Sequence, residues 1–136
     1  MDQVLIRALL DHVERGESVV LATVIGTDRS VPRHAGSKML VFADGSTRGS
    51  IGGGEMEARV IREALQSHSD GRTRLIDFDL VDPTAGDPGV CGGRVHLYLE
   101  PYMPTPTVFV IGCGHVGRAV VDLAHQITGR DKAEAT

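Results

Sequence analysis

The sequence predicts an α/β fold: a first domain of α+β-like character over residues 1–100, then a short strand-and-helix unit. Three observations carry this prediction. Val4, Leu5, Ala8, Leu9 and Val13, and later Met56, Val60, Ile61, Ala64 and Leu65, recur at helical spacing. Residues 18–25 form a nearly continuous β-branched run and residues 73–80 alternate, as strands buried on two faces and on one face do. Pro101, Pro104 and Pro106 then stiffen a linker over 101–106, ahead of a second apolar run that opens onto glycines.

A chain of 136 residues is long enough to bury a core. Its net charge of −4 argues against a general nucleic-acid binder, although local basic clusters can still hold a small anion. No apolar run reaches membrane-spanning length, and the N-terminus carries no signal-peptide pattern. Cys91 and Cys113 each stand beside glycine and make no disulfide framework. A cytoplasmic protein without membrane contact is the expectation. The 17 glycines exceed ordinary usage and gather in three places, which directs attention to those places.

Taken in order, residues 2–15 read as an amphipathic helix capped by Asp2 and ended by Gly16. The strand over 18–25 follows and ends at Gly26. The loop after it collects Arg29, Arg33, His34 and Lys38 in an acidic protein, stiffened by Pro32 and Gly36. A solvated loop is the plain interpretation. Arg suits bidentate phosphate or carboxylate contacts, and Arg33 and Lys38 are assigned to a ligand, with His34 left open. Residues 38–42 and 47–51 form a hairpin around Asp44-Gly45.

The chain is organised around what comes next, Arg48-Gly49-Ser50-Ile51-Gly52-Gly53-Gly54-Glu55-Met56-Glu57. Here a strand runs through three consecutive glycines into a helix over 54–67. Gly52, Gly53 and Gly54 remove every Cβ, so a ligand can approach the backbone closely. The first N–H groups of the helix lack internal partners and carry the positive end of the dipole, which suits an anion such as phosphate. The same turn serves equally as a plain connection, with Glu55 and Glu57 complementing the dipole by themselves. Exposed Glu55/Arg59 and Arg59/Glu63 pairs support the helix, and Ser69-Asp70-Gly71 breaks it.

After the strand over 73–80, residues 82–93 form a glycine-rich loop closing with Cys91, Gly92 and Gly93 before a strand over 94–100. Cys91 is either a small buried residue or a thiol open to ligand or sulfur chemistry. Asp82 and Asp87 read as turn residues, and no His/Cys spacing makes a zinc site. Beyond the linker, an apolar strand at 107–111, then Gly112, Gly114 and Gly117 in Gly-x-Gly-x-x-Gly, then a helix, open a Rossmann-like dinucleotide unit over 107–127. The acidic second strand that completes a nicotinamide site is not in the sequence before Thr136, so NAD(P) is not the expected ligand. Cys113 and His115 read as structural, and 128–136 as a disordered tail. An unpaired apolar strand edge invites association, which points to a homodimer.

The ordered combination Val31-Pro32-Arg33-His34-Ala35-Gly36-Ser37-Lys38-Met39-Leu40-Val41, Gly49-Ser50-Ile51-Gly52-Gly53-Gly54-Glu55-Met56-Glu57, Cys91-Gly92-Gly93 and Val110-Ile111-Gly112-Cys113-Gly114-His115-Val116-Gly117-Arg118-Ala119 resembles the XdhC/CoxI family over most of residues 18–124. The resemblance implies a maturation factor of molybdenum hydroxylases rather than a redox catalyst. Such a protein binds the molybdenum cofactor (molybdopterin), assists its sulfuration and hands it to the apoenzyme of a xanthine dehydrogenase or carbon monoxide dehydrogenase, with a cysteine desulfurase as a further partner. Arg33, Lys38, Arg48, Gly52, Gly53, Gly54, Glu55, Cys91, Gly92, Gly93, Gly112, Gly114 and Gly117 then form the cofactor-binding set, with no catalytic or metal-ligating residue. A small NAD(P)-dependent oxidoreductase resting on Gly112, Gly114 and Gly117 is the alternative, and a non-catalytic interaction or truncated subunit a third.

Overall fold

The computed structural model describes residues 2–28, 35–80, 93–106, 108–112 and 114–128. It divides into two compact units, Met1–Pro104 and Thr105–Thr136.

The first unit holds helix α1 (Gln3–Glu14), strands β1 (Val19–Asp28), β2 (Lys38–Phe42) and β3 (Thr47–Gly49), helix α2 (Gly54–Asp70), and strands β4 (Arg74–Leu80) and β5 (Gly93–Tyr102). The strands make one sheet in the order β3-β2-β1-β5-β4, and every neighbouring pair is antiparallel. An α/β fold of the α+β kind results.

Strand β1 is central, and its period of two explains its unbroken apolar sequence. Val20, Ala22 and Val24 enter one core with Met56, Val60 and Ala64 of α2 and with Leu97 and Leu99 of β5. Val19 and Leu21 enter a second core with Leu5 and Ala8 of α1 and Leu40 of β2. The helices therefore cover opposite faces, and β1 is buried on both. Ile25 stands at the register shift between Val24 and Gly26 and is exposed, and the strand runs past Gly26 to Asp28 instead of stopping there.

Local chemistry sets the ends of the elements. The Asp2 side chain accepts a hydrogen bond from the Val4 N–H at 3.1 Å and caps α1. Gly71, with φ of 68°, ends α2 in the left-handed conformation, so the helix runs three residues beyond position 67 to Asp70. Arg74 secures that end, donating to the buried Ser67 hydroxyl at 2.7 Å and pairing with Asp70 at 2.7 Å and Glu63 at 3.6 Å. The expected pairs of Arg59 with Glu55 and Glu63 are replaced: Arg59 donates to the Asp77 carbonyl of β4, and Glu63 turns to Arg74. Packing on the sheet brings partners nearer than the helix's own surface does. Strand β5 continues through Pro101 and Tyr102, which pair with Val20 and Val19 and so belong to the sheet rather than to the linker.

In the second unit, helix α3 (His115–Thr128) forms, but residues 108–112 carry no regular strand. A strand exists through its ladder, and this short unit offers no second strand among its described residues. A Cβ at Gly117 would stand 2.3 Å from the Gly112 carbonyl oxygen, so the turn into α3 is closed to any side chain there.

Candidate functional site

The antiparallel register sends the glycine-rich motifs to one end of the sheet. Lys38 pairs with Thr23, Gly49 with Met39, Arg94 with Asp28 and Gly93 with Leu80. The end of β1, the start of β2, the end of β3, the end of β4 and the start of β5 therefore coincide. Helix α2 begins at this same end, at Gly54. Arg33, His34, Cys91 and Gly92 lie outside the described residues, but their stretches join this end at Asp28, at the segment of Gly36 and Ser37 that hydrogen-bonds Val24, at Leu80 and at Gly93.

Lys38 is half-buried, and its ammonium donates to the Thr23 hydroxyl at 2.9 Å. That bond uses one of three donors and fixes the ammonium beside the sheet end. Arg48, opposite Leu40 on β3, is exposed and makes no side-chain hydrogen bond or ion pair among the described residues. Gly52, Gly53 and Gly54 have φ of 132°, 82° and 65°, a run of conformations open to glycine and unfavourable for other residues. Nothing lies within 4 Å of where a Cβ of Gly53 or Gly54 would point, so their backbone faces open space.

The turn also differs from an empty anion cradle. Oε1 of Glu57 accepts hydrogen bonds from the Ser50 hydroxyl at 2.6 Å, the Gly53 N–H at 3.0 Å and the Ile51 N–H at 3.1 Å. The Ser50 hydroxyl oxygen accepts in turn from the Gly52 N–H at 3.2 Å. The Ser50 hydroxyl above all, with the backbone donors, holds the Glu57 carboxyl below the usual glutamate range against the opposing effect of burial. Glu55, placed in the binding set from sequence, is exposed and takes no part in these bonds. Part of the signal for Glu57 was in the sequence: an acid in the first turns of α2 accepts from the N–H of the N-cap Gly53, as the acid of a capping box does, one residue later than usual and without a hydroxyl at the cap.

Two cross-strand pairs near this end escaped sequence reasoning because they depend on register. His96 Nδ1 lies 2.7 Å from Asp77 Oδ1, and Arg94 Nε lies 2.8 Å from Asp79 Oδ1. Among the described residues no group of three or more His, Cys, Asp or Glu could hold a metal ion. Gly112, Gly114 and Gly117 belong to the second unit, and Cys113 lies outside the described residues. No helix among the described residues is long and apolar enough to cross a membrane.

The profile of the XdhC and CoxI family matches residues 12–79, which run from the last turn of α1 through β1, β2, β3 and α2 to most of β4. The chain belongs to the XdhC and CoxI family. Two curated Escherichia coli (strain K12) proteins are similar to this XdhC/CoxI chain. The uncharacterized protein YqeB is 37% identical over 76% of the chain, and the molybdenum cofactor insertion chaperone PaoD is 30% identical over 71%. A solved structure described as a xanthine dehydrogenase from Bacillus halodurans matches 71% of the chain at 28% identity with a TM-score of 0.55. The chain spans 19% of YqeB, 30% of PaoD and 30% of the Bacillus protein, so the likeness concerns one part of longer proteins.

Proposed function

We propose that this chain binds the molybdenum cofactor as cargo and delivers it to a molybdenum hydroxylase apoenzyme of the xanthine dehydrogenase or carbon monoxide dehydrogenase type, as a maturation chaperone rather than an enzyme. The observation that carries this reading is the placement at one sheet end of two cations, Lys38 and Arg48, on the face that carries Leu40, and of the Cβ-free backbone of Gly53 and Gly54 at the start of α2, which covers the other face. Family membership and the likeness to an insertion chaperone agree with it. Molybdopterin carries a phosphate, which a lysine and an arginine can hold while the ring system lies against bare backbone. Gly93 starts β5 at the same sheet end, Glu55 lies in the first turn of α2, and Arg33, Cys91 and Gly92 are assigned to the cargo by the family resemblance. A cysteine desulfurase is the partner that sulfuration of the cargo would require. A second copy of the chain is the proposed cover for exposed Phe109, Ile111 and Val116, and the cytoplasm the proposed location.

The test is purification from a molybdopterin-producing host, followed by assays of bound pterin fluorescence and molybdenum. Stoichiometric pterin that falls in Lys38→Ala and Arg48→Ala supports the proposal, and a folded chain free of pterin and molybdenum overturns it. A small nicotinamide-dependent oxidoreductase is favoured by one observation, the tight approach of Gly117 to the Gly112 carbonyl. Micromolar NAD binding with no pterin would select it.

A further inference from the structure

A glycine turn at a helix start is read as a receptor for an external anion because its N–H groups are free. Here the donors of Ile51, Gly53 and Ser50 already converge on one oxygen of Glu57. The side chain that supplies this oxygen grows from the helix the turn introduces, so the contact closes on itself within eight residues of chain, from Ser50 to Glu57. Ile51 is fully buried beneath the turn, and Met56 lies 3.0 Å from where a Gly52 Cβ would be, so the turn rests on packed side chains and cannot slide away from its acid.

We propose that Glu57 is the resident anion of the glycine turn: a positioning residue that holds the strand-to-helix connection in its shape and keeps phosphate and other external anions from it. A charge-assisted carboxylate contact satisfies the Ile51 and Gly53 N–H groups and the Ser50 hydroxyl, donors that a phosphate oxygen seated in the turn would use. A second anion placed there meets the Glu57 charge and finds those donors taken. The glycines then serve for close approach and backbone conformation, and recognition of a ligand's charge falls to the Lys38 and Arg48 side chains. Only this last consequence rests on the cofactor reading.

The experiment is an amide NMR titration of the whole chain with inorganic phosphate at constant ionic strength, in the parent, Glu57→Gln and Glu57→Ala, with thermal midpoints recorded with and without formate. In the parent, the Ile51 and Gly53 amides should show no saturable shift through the millimolar range. In Glu57→Ala the midpoint should fall, the same two amides should respond saturably to phosphate or formate within the millimolar range in which the parent shows no saturation, and formate should restore part of the midpoint. Glu57→Gln, which keeps an acceptor without its charge, should lie between the two. Saturable phosphate binding at Ile51 and Gly53 of the parent overturns the proposal, as does a Glu57→Ala chain with parental midpoint and parental shifts at those amides. Should Glu57→Ala not fold, the parent titration and Glu57→Gln decide alone. None of these readouts involves a pterin, so the outcome is separate from that of the delivery assay.

Discussion

The backbone of Gly49 lies against that of Lys38 so closely that a Cβ at Gly49 would stand 2.6 Å from the Lys38 carbonyl oxygen and 3.2 Å from both Leu5 methyl groups. The carbonyl sits at the start of β2 and cannot retreat without disturbing the β2–β3 pairing. Gly49 also has φ of 84°. Gly49→Ala should therefore combine a steric and a conformational cost, about 2–4 kcal/mol. Gly45→Ala is the control, since Gly45 has φ of 82° with nothing within 4 Å of its Cβ position. It should lose only about 1 kcal/mol. Urea unfolding measures both, and equal losses would show that the approach to Lys38 is not tight in solution.

At Gly53 the constraint is conformational alone. Its φ is 82° and the space where a Cβ would point is empty. Gly53→Val should cost about 1–3 kcal/mol through backbone strain while far-ultraviolet circular dichroism keeps the α2 contribution. It should also abolish pterin binding, because the branched side chain fills the open face of the turn. Unchanged pterin affinity in the folded variant removes Gly53 from the cargo surface.

Much of the fold was legible because local and global signals agreed. The Asp2 cap, the Asp44-Gly45 hairpin, the doubly buried β1 and the apolar stripe of α2 each follow from spacing or turn chemistry, and each appears where the residues place it. Strand order was not legible, since nothing in the run of residues says that β5 inserts between β1 and β4. The β4–β5 register brings Asp77 to His96 and Asp79 to Arg94, and the pairing of β5 with β1 brings their ends to the candidate site. The strand expected near 108–111 failed for the complementary reason: its apolar pattern had no ladder to join among the described residues. At the glycine turn the residue types pointed to an anion, and the structure supplied that anion from Glu57 within the chain.

Charge recognition by side chains makes a prediction about salt. Lys38 is half-buried and tied to Thr23, whereas Arg48 is exposed. Screening acts more strongly on exposed charges than on partly buried ones. Arg48→Ala should weaken pterin binding at low salt and approach the parent as salt rises, while the loss in Lys38→Ala should persist. Each change should be about 0.5–2 kcal/mol in binding. Fluorescence titrations at two ionic strengths check it, and identical salt slopes for the parent and both variants would place the anion contact elsewhere.

The carboxylates predict how stability should vary with acid. Glu57 titrates below its ordinary range in the folded chain, first because of the Ser50 hydroxyl and then because of the Ile51 and Gly53 N–H groups. A folded value depressed below the unfolded one means that the unfolded chain binds the proton more readily. The stabilisation by Glu57 is then fully present above the ordinary glutamate range and is lost as pH falls through the folded value. Glu57→Gln carries no such titration, so its urea midpoint should lie below the parent's near neutrality, and the gap should close on acidification. Asp70 obeys the same sign, drawn down to about 2 chiefly by its hydrogen bond from Arg74, so the gap between the parent and Asp70→Asn should shrink from the ordinary aspartate range downward and vanish only below that value. Because Asp70 is exposed, its pair with Arg74 should contribute less than the short distance suggests. A parent-to-Glu57→Gln gap that stays constant from neutrality to strong acid would mean that the turn is held by packing alone and that the Glu57 charge contributes nothing to it.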